Sequence, residues 1–232
     1  MKISLFDSGF SDRLSRVGLV ELDPYADPSC ARDALVELAN AFESSKRHID
    51  VDADGITMRT LNGAALLGLC PSVGHIYQYT LQSLRREMPD LHEISVKPIA
   101  VSANYLRGGN DKFRMHFDRH QLTAIVYLND APSMPLIAYP NVRRDPLMAG
   151  GKEPFDISTA DRYVIEPRTN TGLVFFGSRT YHGIENRVAQ ESDHANRVER
   201  YSLQFGFDFT PCDYEGQSYY GMTQGNPGDP HG

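Results

Sequence analysis

From about Ile94 onward the chain loses its helical period and begins to alternate, and this switch most limits what it can fold into. ISVKPIAVSANYL, HQLTAIVYLND, MPLIAYP, RYVIEP, TGLVFFGS and RYSLQFGFDF are short, rich in β-branched and aromatic residues, and separated by Gly, Pro, Asn and Asp. Many short strands divided by turn residues point to a sandwich or jelly roll, not to alternating β-α units. The expected class is mainly β with N-terminal helices.

Before the switch the pattern is helical. Asp27 is placed to cap a helix with Pro28 in its first turn, where a missing N–H costs nothing. Leu35, Leu38 and Phe42 follow at helical spacing. A second helix is expected from Pro71, with Val73, Ile76, Tyr77, Leu81, Leu84 and Met88 on one face and Pro89 as its stop. Between them HIDVDADGITMRTLNG reads as a polar turn and a short strand. The expected organisation is one domain over 1–232, with a mostly helical scaffold at 1–93, a jelly-roll core at 94–210 and a polar tail at 211–232. The segment VRRDPLMAGGKEPFDISTADR, within 142–162, lacks a strong period, and a loop that long is usually functional or mobile.

Composition excludes several classes. A hydrophobic content of 41% supports a real core, and a net charge of −7 argues against a nucleic-acid partner, which needs Lys and Arg to neutralise phosphates. The densest apolar run, Ala64 to Cys70, is too short to span a bilayer, so no membrane partner is expected. Cys30, Cys70 and Cys212 are widely spaced and fit no zinc pattern; reduced thiols in a cytoplasmic protein are the simplest reading.

Three residues carry chemistry. His116-Phe117-Asp118 is expected where a strand begins, and residues two apart on a strand point the same way. His182 follows an apolar strand and a Gly turn in TGLVFFGSRTYHG. Two imidazoles and one carboxylate on one side of a metal, with the other positions open, form the donor set of non-haem iron oxygenases. A second triplet, His48-Ile49-Asp50, runs into the polar VDADG and reads as surface. His120 makes His116-x-x-x-His120, a spacing that suits zinc on a helix, but the setting is strand and the glutamate of a metalloprotease is missing. His194 lies in a charged stretch and reads as solvated.

In RYSLQFGFD, alternation puts Arg200, Ser202, Gln204, Gly206 and Asp208 on one face and Tyr201, Leu203, Phe205, Phe207 and Phe209 on the other. Such a strand ordinarily floats on a sheet with its polar face in water. Turned inward, the polar face becomes a pocket. Arg200 can then fork onto a carboxylate through two charge-assisted hydrogen bonds, with the Ser202 hydroxyl beside it.

The run Tyr105…HFD…LTAIVYLND…His182…RYSLQFGFD resembles the catalytic core of the prolyl-hydroxylase-like branch of the Fe(II)/2-oxoglutarate-dependent dioxygenases, over roughly the C-terminal half of the chain. The resemblance implies a double-stranded β-helix (a cupin-like jelly roll). It implies Fe(II) held by His116, Asp118 and His182, with 2-oxoglutarate as cosubstrate and O2 as oxidant. Arg200 would bind the distal carboxylate of 2-oxoglutarate, with Ser202 and Tyr127 adding hydroxyls and Tyr105 lining the pocket. Thr123 shares a strand face with Ile125 and Tyr127 and is expected to look inward. Related halogenases replace the carboxylate ligand with a small residue, so Asp118 favours oxygenation.

Two departures stand out. The Gly-Gly pair common after YLND is replaced by APSMPLIAYP, and the connection from His182 to Arg200 is long enough for Arg187 or Arg197 to take the anchor's place. The expected reaction is hydroxylation of a C–H bond in a small molecule such as an amino acid or biosynthetic intermediate, with succinate and CO2 as coproducts. Arg107, Arg114, Arg119, Arg143 and Arg144 could supply charge for an acidic substrate near the mouth. Hydroxylation of a protein residue is the second reading, and a non-catalytic jelly-roll binding module the third.

Overall fold

A computed structural model describes residues 9–44, 48–53, 56–89, 91–92, 100–108, 111–118, 120–142, 157, 160–187 and 198–209 of the 232. Among the described residues four helices precede most of the strands: α1 (Phe10–Val17), α2 (Pro28–Ser44), α3 (Gly63–Leu69) and α4 (Pro71–Glu87). The strands are β1 (Leu19–Leu22), β2 (Ile49–Ala53), β3 (Ile56–Asn62), β4 (Leu91–His92), β5 (Val101–Arg107), β6 (Lys112–His116), β7 (Leu122–Tyr127), β8 (Leu136–Tyr139), β9 (Tyr163–Ile165), β10 (Thr171–Phe175), β11 (Tyr181–Ile184) and β12 (Glu199–Phe209). They join in the order β1-β10-β7-β12-β5-β3-β6-β11-β8-β9, with β2 beside β3 and β4 beside β12. Every pairing is antiparallel.

The sheet folds over on itself. Leu173 of β10 and Tyr127 of β7 share one apolar cluster with Leu136 of β8 and Ile165 of β9, although β8 and β9 lie at the far end of the strand order. At the other end Ile56, Leu106, Phe113 and Met134 close a second cluster. Side chains between the two therefore face an interior, giving a jelly roll with a walled centre.

The helices cover the outer face. The Asp27 carboxylate accepts from the N–H groups of Ser29 (2.9 Å) and Cys30 (3.4 Å), capping α2 as expected. Glu37 of α2 in turn accepts from the N–H and hydroxyl of Ser72 at 3.0 and 2.9 Å, tying α4 to α2 at its first turn. Leu38 and Phe42 of α2, and Val73, Ile76, Tyr77, Leu81 and Leu84 of α4, pack with Ala103, Val126, Leu203, Phe205 and Phe207 of the sheet.

β12 is the hinge of the design, since both of its faces are buried. Its apolar side meets α4: Tyr77 lies edge-on to Phe205 at 5.4 Å and stacks on Phe207 at 5.9 Å. Its polar side, with Arg200 and Ser202, turns into the interior instead of toward water.

Several elements depart from the sequence expectation. β1, not expected, extends the main sheet along β10, while β3, the short strand expected after the polar turn, bridges β5 to β6. β2 forms where a polar turn was expected, and α1 and α3 were not foreseen. The 142–162 loop, the 211–232 tail, Cys212 and His194 lie almost wholly outside the described residues. Among the described residues no helix is long and apolar enough to cross a membrane.

The packing yields a stability prediction. Phe205→Ala removes a fully buried ring from the α4 interface and should cost about 3–5 kcal/mol. Val36→Asp, on the solvent side of α2 at 56% exposure, should stay within about 0.5 kcal/mol. Chemical denaturation compares the two; equal losses would mean the outer layer is not packed as described.

Candidate metal and anion site

The two imidazoles meet through strand register. His182 on β11 pairs directly with His116 on β6, and its other neighbour is Ala138 on β8. Directly opposed residues on antiparallel strands lie about 5 Å apart on the same face, and the ring centroids here are 4.3 Å apart. The register shifts between His182 and Ile184. Close approach at Gly183 permits this, because a Cβ there would lie 2.8 Å from the backbone nitrogen of Met115.

Asp118 joins them by a different route from the one the triplet suggested. β6 ends at His116, so Asp118 lies past the strand and alternation does not aim it. Its N–H donates to the Gly177 carbonyl at 3.0 Å, while the Gly177 N–H donates to the Gln121 carbonyl at 3.0 Å. Gly177 opens the 3-10 turn Gly177–Arg179 that leads into β11. A side chain there would collide with the His120 carbonyl (2.6 Å) and with Asp118 Cβ (2.8 Å). The loop carrying the carboxylate and the turn feeding His182 are thus pressed together backbone to backbone.

The donor atoms converge. Asp118 Oδ1 lies 3.2 Å from His116 Nε2 and 3.5 Å from His182 Nε2. Donors at right angles around an ion, with bonds of about 2.1 Å, stand about 3 Å apart. The three residues offer ligand atoms all within 4.8 Å of one another, and all three are buried. Each imidazole turns its Nδ1 to a backbone carbonyl two residues earlier, His116 to Arg114 at 2.8 Å and His182 to Thr180 at 3.0 Å. With Nδ1–H donating there, Nε2 keeps its lone pair for the centre, the arrangement that orients metal-binding histidines.

Electrostatics agree with ligation. Burial opposes the Asp118 charge, but the imidazoles of His182 and His116 outweigh it and hold the carboxyl below its usual range. Burial pushes His182 down to about 4, against the attraction of Asp118, so the ring is neutral at ordinary pH.

A small cavity runs from His182 to Arg200, with Asn104, Ser202 and Gln204 as polar lining and Leu106 among the apolar walls. Arg200 is 1% exposed, and among the described residues no carboxylate pairs with it. Its Nη1 donates to the Met134 carbonyl at 3.2 Å, and its Nε has no partner. Burial lowers its pKa, partly offset by Tyr127, whose ring lies 5.1 Å from the guanidinium. The Tyr127 hydroxyl is buried beside the guanidinium, and burial pushes its pKa up to about 12. An unpaired buried cation costs several kcal/mol, so this end of the cavity calls for an anion that none of the described residues supplies. A dicarboxylate fits that demand.

Register corrects one residue. Tyr105 pairs with Tyr201, and both belong to the outer, helix-facing cluster with Phe42; the Tyr105 hydroxyl donates to Glu199 Oε1 at 2.7 Å. It lies on the wrong side of the sheet to line the cavity. Asn104, opposite Ser202, takes that place. Thr123 is buried on the inward parity of β7 shared with Ile125 and Tyr127. The ring of His120 occupies the space over Gly206, outside the three-residue cluster. Arg187 pairs with Glu185 at 2.9 Å on the surface, away from the anchor position, and Arg107 and Arg114 are exposed. Arg119, Arg143, Arg144 and Arg197 lie outside the described residues. His48 sits 3.8 Å from exposed Asp50, a surface pair as read. Gln204, which sequence assigned only to a face, donates Nε2 to Asp118 Oδ1 at 3.1 Å.

Comparison of the coordinates with solved structures decides the architecture. The epimerase SnoN, a non-heme alpha-ketoglutarate-dependent protein from nogalamycin biosynthesis, superposes with a TM-score of 0.65 at 16% identity, over 85% of this chain and 80% of its own. A prolyl hydroxylase from Trichoplax adhaerens, in complex with a hypoxia inducible factor peptide fragment, gives 0.64 at 14% identity, over 85% and 86%. HygX from Streptomyces hygroscopicus, with nickel and 2-oxoglutarate bound, gives 0.62 at 11% identity, over 88% of both chains. The fold is that of the Fe/2-oxoglutarate-dependent oxygenases. No family model matches the sequence, and no curated protein matches it. The oxygenase fold is therefore legible in the backbone at identities where sequence comparison falls silent.

Burial holds the His182 ring neutral down to about pH 4, so Co(II) binding should be lost as the pH falls through that value. Calorimetric titration with Co(II) across pH tests this; full affinity retained well below pH 4 would contradict it. Gly177→Ala should also weaken Co(II) binding, since the added methyl displaces the Asp118 loop.

Proposed function

We propose that the protein is an Fe(II)- and 2-oxoglutarate-dependent oxygenase that hydroxylates a C–H bond of a small molecule, such as an amino acid or a biosynthetic intermediate. One observation carries the reading. A cavity inside an oxygenase fold has a cluster of two imidazoles and a carboxylate at one end and, at the other, a buried arginine with no counter-ion among the described residues.

In this reading His116, Asp118 and His182 hold Fe(II). Arg200 pairs with the far carboxylate of 2-oxoglutarate, and the Ser202 and Tyr127 hydroxyls complete its hydrogen bonding. Iron and 2-oxoglutarate together would supply the activation of O2 and the oxidation of a C–H bond, releasing succinate and CO2. The chain's own contribution is placement. Leu106, Phe113, Ile125, Leu136 and Ile184 wall the cavity and keep bulk water from the methylene segment of a dicarboxylate. That dry wall strengthens the pairing at Arg200, since charges attract more strongly in a low-dielectric setting. The Nδ1 bonds of the two histidines keep their rings from turning, so both present Nε2 throughout.

SnoN's place in nogalamycin biosynthesis supports a small-molecule substrate, and the peptide complex of the Trichoplax hydroxylase supports hydroxylation of a protein residue as the second reading. The buried Cys70 and half-buried Cys30 are free thiols, in keeping with a cytoplasmic site of action.

Anaerobic addition of Fe(II) and 2-oxoglutarate should produce a weak visible charge-transfer band, abolished in His116→Ala and His182→Ala. Arg200→Leu should weaken 2-oxoglutarate by about 100-fold while Fe(II) affinity changes little, as expected when one partner of a buried charge pair is removed. Metal binding undiminished by Asp118→Ala would defeat the assignment. Succinate release screened over amino acids and peptides, with mass analysis of the product, separates the two substrate classes and distinguishes hydroxylation from epimerisation.

A further inference from the structure

Gln204 has no part in the donor set or the anion anchor, yet it touches the centre. Its Nε2 donates to Asp118 Oδ1 at 3.1 Å, the same oxygen that faces both imidazole nitrogens. The amide orientation is fixed by its neighbour, since the carbonyl end turned toward a carboxylate would be repelled. The carboxylate it holds sits on a loop past the end of a strand, where backbone contacts with Gly177 and the two imidazoles also place it.

We infer that Gln204 is a positioning residue: its amide holds the Asp118 carboxylate with one chosen oxygen toward the metal. Three features carry this. Gln204 sits on β12, anchored by Phe205 and Phe207 against α4, so its backbone cannot drift. It is paired with Ile125 on one side and Ser102 on the other, in the middle of the sheet. It also lines the cavity between Ser202 and His182, so one rigid strand serves the anion end through Arg200 and the metal end through Gln204. A loop carboxylate free to rotate could present either oxygen, or both; the amide bond penalises every rotamer but one.

This rests on the proposed metal site, and the test separates the two. Co(II) is titrated into metal-free wild type, Gln204→Leu and Gln204→Asn, reading affinity and the visible ligand-field spectrum, with thermal unfolding of the metal-free proteins as the fold control. Gln204→Leu keeps the volume but removes the donor; it should bind Co(II) about 10–100-fold more weakly, with an altered band shape. Gln204→Asn keeps the amide on an arm too short to reach and should weaken Co(II) similarly, which preserves the test if the leucine variant does not fold. Wild-type affinity and an unchanged spectrum in either folded variant would overturn the inference while leaving the metal site intact. Failure of wild type itself to bind Co(II) would overturn both.

Discussion

The pairing of His182 with His116 across β11 and β6 is the constraint on which the rest depends. Side chains on a strand change face with every residue, so a slip of one would turn one ring out of the interior. Much of the local structure defends that register. Close backbone approach at Gly183 lets β11 shift against β6 just beyond the histidine, and the turn at Gly177 delivers the strand at the required height. The Asp118 loop is locked to that same turn. His116 and Asp118, neighbours in sequence, and the distant His182 are thus fixed by contacts between two short strands and one 3-10 turn.

β12 links this centre to the fold's stability. Its apolar side is part of the helix-facing core, and its polar side is the floor of the cavity. Tyr77 of α4, lying between Phe205 and Phe207, therefore helps to set where Arg200 and Gln204 stand. A site built on a strand sandwiched between two packed layers is held more tightly than one built on loops. The loop-borne Asp118 is the exception, and the side chains of His116, His182 and Gln204 meet it there.

Much of this was legible in the sequence, and the misses have physical causes. The alternation of RYSLQFGFD identified both faces of β12, and the buried Arg200 decided which face looked inward. The order His116, Asp118, His182 marked the donor set, but not how its members meet, because register between β6 and β11 is written in neither strand alone. A strand was expected to begin at His116, whereas β6 ends there, because KFRMH carries Lys, Arg and Met in place of a clear apolar alternation. Tyr105 was set on the wrong face although its pairing with Tyr201 fixes its parity; family likeness suggested the residue type, and alternation overruled it. The Gln204 contact could not be foreseen, since a period of two assigns a face and says nothing about what stands across the cavity.

Arg200 carries a consequence of its own. Among the described residues no acid answers the guanidinium enclosed beside Tyr127, so a small anion seated against it would be held by the folded chain alone. Ligands that bind only the folded state raise its stability by mass action. Folding and occupancy would then be thermodynamically coupled through one side chain.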